Sequence, residues 1–342
     1  MAEPLAAYVR EAFGWDEDVV ITAGPRGALG QIWRLEVGPA RYALKEIFHE
    51  PPSDRRIEAE SAFTRRAARA GVRLPASHPD REGRYVLAAP GGTWLRLYDW
   101  VDLAAVGVAT PMAARDLGML LARLHRCAPV SAAEFDGDPP ARWYDQVPLL
   151  REWERVTASD TVWAPRLAER LSTIARLCAM VTPVDADDLV ICHRDLHPDN
   201  VLADPAEELV VVDWDNAGPA APGRELAQML FDWFCDGPEA DLDAMRLLYE
   251  SYLDSGGPGR VTGPADFSML LATRINFFLL QTRIAIDPRT DPRTRERAEH
   301  EIDEALRILP TPQQLTDALN MAYQLIPGRS PRAALPHTSV DR

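Results

Sequence analysis

Apolar and polar positions divide the chain into a strand-rich first part and a helix-rich remainder. Residues 4–13 have the pattern of a short helix, and 19–22 and 31–37 read as strands on either side of a glycine-containing loop at 24–30. Residues 41–47 form a third predicted strand. A longer helix follows at 54–70, with Ser53 placed to cap its start and Gly71 its end. Residues 84–88 and 93–100 read as two further strands. After Val101 the period changes. Helices are predicted at 111–126, 143–156, 165–181, 224–234, 239–253, 266–286, 293–309 and 312–325, interrupted by two short strands near Val201 and Val211. The change of character places a boundary near residues 98–102. The expected organisation is an N-terminal lobe at 1–99, a helical C-terminal lobe at 100–327, and a tail at 328–342 whose proline, serine and arginine content predicts disorder.

Composition narrows the classes of function. The 342 residues are 46% hydrophobic, enough for a sizeable core, and carry a formal net charge of -15. Nucleic-acid binding rests on Lys and Arg contacts to phosphate, so an acidic chain argues against it. The apolar stretch at 267–286 is interrupted by Arg274, Asn276, Gln281 and Arg283, so it reads as a buried or amphipathic helix and not as a membrane span. None of the four cysteines forms a C-x-x-C pair, and the N-terminus has no signal-peptide pattern, so a reducing, cytoplasmic setting is expected. Lys45 is the single lysine, and the other 36 of the 37 Lys and Arg residues are arginine. A compact ammonium kept in a chain that otherwise uses guanidinium suggests a role that arginine cannot fill.

The richest segment runs from residue 190 to 202 and contains His193-Arg194-Asp195, with Asn200 five residues after the aspartate. Val210-Val-Val-Asp213 follows. The apolar runs 201–204 and 209–212 flank a turn-like stretch. A hairpin centred between Ala206 and Glu207 would set Asn200 opposite Asp213 and bring two hard oxygen donors together, as magnesium prefers.

This arrangement resembles the aminoglycoside phosphotransferase family, over roughly residues 24–230. The resemblance implies an α+β, bilobal protein-kinase-like fold, with an N-terminal antiparallel sheet and one helix followed by a mostly helical C-terminal lobe. It implies ATP-dependent transfer of a phosphoryl group to a small-molecule hydroxyl, with GTP left open as the donor and Mg²⁺ as the metal. By the same resemblance Asp195 is the catalytic aspartate, Asn200 and Asp213 hold the metal, and Lys45 holds the α- and β-phosphates. Glu60 would pair with Lys45, although Glu58 lies on the same helix about 200° away. Gly27, Leu29 and Gly30 would cover the phosphates, and Asp99, Trp100 and Val101 would meet adenine by their backbone. The family usually has an aspartate before a Leu-Ala pair, where this chain has Glu225.

For the acceptor, Asp215, Asp232, Asp236 and Glu239 are acidic candidates and His197 could line the cleft. They would suit a cationic acceptor such as an aminoglycoside, choline or an amino-sugar, with homoserine as a further option. An antibiotic-resistance kinase and a metabolic kinase are both compatible, as are monomer and homodimer. A different class, a metal-dependent hydrolase, could use His193, Asp195 and His197, which alternate with Asp199 and would share a face if extended. Pro198 disturbs that strand, and the hydrolase reading leaves Lys45 and Asp213 without a role. A non-catalytic nucleotide-binding module would be expected to lack one of Lys45, Asp195 and Asp213.

Overall fold

The computed structural model describes residues 2–26, 30–48, 51–107, 111–128, 141–184 and 189–326. In chain order its elements are α1 (Ala2–Phe13), β1 (Val19–Arg26), β2 (Gly30–Val37), β3 (Ala40–Ile47), α2 (Asp54–Arg69), β4 (Ser77–His78), β5 (Leu87–Ala88), β6 (Trp94–Asp99) and β7 (Ala104–Ala105). The helices α3 (Pro111–Cys127), α4 (Ala141–Asp145), α5 (Leu150–Thr157) and α6 (Ala164–Met180) follow. Then come β8 (Val190–Cys192), β9 (Val201–Ala203), β10 (Leu209–Val211), β11 (Gly218–Ala220), α7 (Pro222–Phe234), α8 (Leu242–Asp254), α9 (Ser268–Ile286), α10 (Pro292–Ile308) and α11 (Pro312–Gln324). Two compact units result: Met1–Ala105 with Asn200–Asp215, and Val106–Asp199 with Asn216–Arg342. The boundary expected at 99/100 therefore falls after Ala105, and the β9–β10 hairpin belongs with the N-terminal unit. The tail at 328–342 lies outside the described residues.

In the first unit the strands form an antiparallel sheet in the order β1-β2-β3-β6-β4, with β5 also paired to β6. Leu35, Leu44, Leu95 and Leu97 are buried with Val9 of α1 in one cluster, and each such side chain contributes about 1.5–3 kcal/mol of transfer free energy. Gly30 lets β2 approach β3, since a Cβ there would lie 2.4 Å from the Glu46 carbonyl oxygen. The start of α2 is capped as expected, with the Ser53 side chain accepting from the Arg56 amide. Its end is a paired closure: the Gly71 amide donates to Ala68 O and the Val72 amide to Ala67 O, with Gly71 at φ +84°.

The β9–β10 hairpin pairs Val201 with Val211 and Ala203 with Leu209, which sets Asn200 opposite Val212, not Asp213. The Val212 amide donates to Asn200 O at 2.9 Å. The one-residue difference comes from the loop. Asp204 and Glu208 close a three-residue turn, the Asp204 carboxylate accepts from the Ala206 and Glu208 amides, and Glu207 takes φ +61°. A left-handed residue ending a three-residue loop matches the strand twist. Asp213 leaves the ladder with φ +57°.

In the second unit α3 packs lengthwise on α8, and α9 is flanked by α4, α7 and α10. Gly118 permits the first contact, because a Cβ there would lie 2.2 Å from Leu248 O. The predicted helix at 143–156 is two helices, α4 and α5, separated at Pro148, which cannot continue a helical ladder. The strands β8 and β11, which in sequence precede the Asp195 loop and follow the hairpin, pair antiparallel, Cys192 against Gly218. Among the described residues one stretch, Pro264–Ile286, has the length and apolarity of a membrane span, and residues Met269 to Ala272, Ile275, Phe278 and Leu279 of it are buried.

Candidate active site

The side chains Leu44, Leu95 and Leu97 turn toward α1, so strand alternation turns Lys45 and Arg96 to the other face. The β3–β6 register sets Lys45 and Arg96 directly opposite each other. Two cations at that spacing repel unless anions separate them. Asp215 supplies the anion, accepting from Lys45 Nζ through Oδ2 at 2.7 Å and from the Arg96 guanidinium through Oδ1 at 2.6 Å. Asp213 Oδ1 also accepts from Lys45 Nζ at 2.7 Å. Burial lowers the affinity of Lys45 for its proton, but Asp215 and Asp213 outweigh it and hold the ammonium above its ordinary pKa. Burial likewise works against the charged form of Asp215, yet Lys45 and Arg96 hold it down to about 2.

Helix α2 completes this cluster differently from the sequence expectation. Glu58 is exposed and Glu60 buried, so Glu60 does face the sheet. Its partner is Arg96 and not Lys45: Oε1 and Oε2 accept from the two guanidinium nitrogens at 2.8 and 2.9 Å. Arg96 reaches farther than Lys45 and its planar fork matches a carboxylate bidentately. One turn earlier, Arg56 donates to Asp215 O at 2.5 Å. Asp215, expected as an acceptor-site carboxylate, is instead committed to these cations.

Asn200 and Asp213 stand at the open end of the hairpin. One offers a carboxamide oxygen and the other a carboxylate whose side chain is 39% exposed, with Oδ1 engaged by Lys45. Two hard oxygen donors of this kind fit a magnesium ion that takes few protein ligands and completes its shell with phosphate and water. In the connector, the Asp99 amide donates to Ala76 O and the Trp100 amide to Arg41 O. Those two amides are therefore engaged within the unit. The Asp99 carboxylate accepts from the Ala76 amide and pairs with His78. Gly27 and Leu29 lie outside the described residues, and Gly30 is a strand residue whose missing Cβ serves the β2–β3 contact.

In the second unit Asp195 Oδ2 accepts from Asn216 Nδ2 at 3.0 Å, and Oδ1 lies 3.7 Å from His197 Nε2. Asp195 is held by the backbone around it. Arg194 adopts φ +67°, stacks its guanidinium 3.9 Å over the Tyr144 ring, and donates to Asn216 O. Gly218 leaves the room for that guanidinium, since a Cβ would lie 2.4 Å from it. Three side chains of α7 then grip the loop: Glu225 accepts from the Arg194 amide, Gln228 donates to Arg194 O, and Trp233 donates to Leu196 O at 2.7 Å. Glu225 also bonds His125, which bonds the Tyr252 hydroxyl at 2.8 Å.

The remaining acceptor candidates separate. Asp232 pairs with Arg274 at 2.8 Å, Asp236 with Arg307, and Glu239 is exposed before α8. His197 is half-buried beside Asp195 and accepts from the Asp199 amide. The hydrolase alternative fails geometrically: β8 ends at Cys192 and residues 198–200 form a turn, so 193, 195 and 197 are not alternate positions of one strand. His193 is fully buried, whereas the Asp199 side chain is 93% exposed. Among the described residues the one metal-type cluster is His125, Cys192 and Glu225, which excludes all three.

Sequence reading missed Arg96, Arg56, Asn216, Gln228, Trp233 and His125. Arg96 carried a usable signal, a lone cation between Leu95 and Leu97 in a strand.

The profile of the phosphotransferase enzyme family matches residues 20–263. An uncharacterized protein of Deinococcus radiodurans is 27% identical over 281 residues, covering 80% of each chain. Among solved structures, the spectinomycin phosphotransferase APH(9)-Ia, in complex with ADP and spectinomycin, aligns with a TM-score of 0.63 at 15% identity, over 95% of this chain and 98% of that one. A microcompartment-associated aminopropanol kinase aligns at 0.56 and 16%, over 92% and 99%. The amicoumacin kinase hAmiN aligns at 0.54 and 17%, over 84% and 89%. At such identities the likeness establishes the fold, an N-terminal antiparallel sheet with a helical C-terminal part in the kinase-like manner.

Proposed function

Because the chain belongs to the phosphotransferase enzyme family, whose profile spans most of its length, we propose that it transfers the γ-phosphoryl group of ATP to a hydroxyl of a small amine-bearing molecule. Small-molecule phosphotransfer is the class of the family and of its structural neighbours.

What supports that reading most is the bond between Lys45 and Asp213, which joins the chain's single ammonium to the aspartate 168 residues away that the motif marks as a metal ligand. Phosphoryl transfer asks protein mainly for alignment and charge neutralisation. Lys45 would bind the α- and β-phosphates. Asn200 and Asp213 would hold magnesium, which supplies Lewis-acid neutralisation of the triphosphate. The Val101 backbone would orient adenine. Asp195, oriented by Asn216, would position the acceptor hydroxyl and take its proton.

An amine on the acceptor agrees with the net charge of -15 and with the compounds named for the neighbours, spectinomycin and aminopropanol. The four cysteines are free thiols, which suits a reducing compartment. An ATP-consumption screen over spectinomycin, other aminoglycosides, macrolides, aminopropanol, choline and homoserine tests the reading. Acceptor-dependent turnover that disappears in Asp195→Ala is expected. Hydrolytic activity without ATP, or ATP use indifferent to Asp195, would refute it.

A further inference from the structure

We propose that Asp215, and not a glutamate of α2, is the residue that positions Lys45 for the nucleotide phosphates, with Glu60 and Arg96 serving to hold Asp215 in place. The inference rests on the kinase reading above and specifies how its ammonium is oriented.

Few carboxylates near Lys45 are free to hold it. Both oxygens of Glu60 are taken by Arg96, at 2.8 and 2.9 Å, in a pair whose side chains are 6% and 0% exposed. Releasing Glu60 toward Lys45 would strip a fully buried guanidinium of its bidentate partner, a costly exchange. Asp213 does touch Lys45, but as a metal ligand it has a competing obligation. Asp215 has none. It accepts from Lys45 at 2.7 Å and is fixed at three points: by Lys45, by Arg96 at 2.6 Å and, through its backbone carbonyl, by Arg56.

Arg56 and Glu60 are one turn apart on α2, and both lead to Asp215, one directly and one through Arg96. The helix therefore reaches Lys45 through Asp215. The ammonium has three N–H donors. One goes to Asp215 and one to Asp213, so a donor remains for phosphate while Asp215 keeps the stem aligned. The register of β3 and β6 makes the arrangement necessary, because Lys45 and Arg96 stand face to face and need a shared anion.

The test compares Asp215→Asn, Glu60→Gln, Lys45→Ala and the double variant Lys45→Ala/Asp215→Asn. Binding of ADP and of adenosine is measured calorimetrically in EDTA, so that neither metal nor turnover enters. Wild type should prefer ADP. Asp215→Asn should lose about tenfold of that preference, the scale of one charged hydrogen bond, with adenosine affinity unchanged. The double variant should be no worse than Lys45→Ala, since both act on one contact. Asp215→Glu should restore part of the preference, and thermal melting should show each variant folded.

Glu60→Gln should weaken the preference less than Asp215→Asn does. If Glu60→Gln costs as much or more, or if the effects of Lys45→Ala and Asp215→Asn add, the assignment is overturned while the kinase reading stands. If wild type binds ADP no better than adenosine, both fall.

Discussion

Glu225 accepts a hydrogen bond from the backbone amide of Arg194, the residue immediately before Asp195. A carboxylate buried in α7 thus fixes the position of the proposed catalytic aspartate through the main chain. Its second oxygen is held by His125 at 2.7 Å, and the chain continues to Tyr252. Where the family usually has aspartate, the longer glutamate spans the distance to both partners.

Replacing Glu225 by glutamine should destabilise the protein by about 1–3 kcal/mol at neutral pH and lower kcat more than it raises KM for ATP. The pH dependence has a definite sign. Burial opposes ionisation of Glu225, but the His125 hydrogen bond and charge, with the Arg194 amide, hold its carboxyl below the ordinary value. Its contribution is therefore complete above about pH 4.3, the ordinary glutamate value, and is lost as pH falls through the lower folded-state value. Urea midpoints of wild type and Glu225→Gln should converge on acidification. A gap that stays constant down to pH 3 would show that charge is not the cause.

Asp195→Ala should reduce kcat by about 10²–10⁴-fold, the usual contribution of a positioned general base, with ATP affinity little changed. Asn216→Ala should act in the same direction but more weakly, because it only orients Asp195 Oδ2. Steady-state kinetics with any acceptor found in the screen would separate kcat from KM.

Lys45→Arg keeps the charge and should still impair ATP use. The guanidinium is wider than an ammonium and would enter a space bounded by Asp213, Asp215 and the facing Arg96. A variant with wild-type KM and kcat for ATP would remove the reason for the lone lysine.

Gly118→Ala tests the α3–α8 contact apart from the chemistry. The new methyl would overlap the Leu248 carbonyl, so the helices must separate, at a cost of about 1–3 kcal/mol. Thermal unfolding should shift downward while the kinetics of the folded fraction stay as in wild type.

The parts that sequence made readable are those encoded locally. Asp195, Asn200 and Asp213 lie within 19 residues of one another, and their spacing alone suggests a loop followed by a hairpin. The helical series was readable because burial writes itself at a period of 3.6. What escaped depended on pairing across distance. That Arg96 stands opposite Lys45 follows from the β3–β6 register, which no local pattern sets. Once it does, Glu60 has a better partner than Lys45. The hairpin centre was displaced by one residue because the Asp204 carboxylate and a left-handed Glu207 close a three-residue loop. Short strands such as β8 and β11, three residues each, carry too little periodicity to stand out.

The setting of Lys45 bears on how the protein can be labelled. It is the chain's only side-chain amine, and two carboxylates hold it protonated with 15% of its side chain exposed. Acylating reagents attack the neutral amine, so they should leave this protein almost unmarked at its side chains under mild conditions. Coupling chemistry that immobilises most enzymes through surface lysines will find no surface lysine to use.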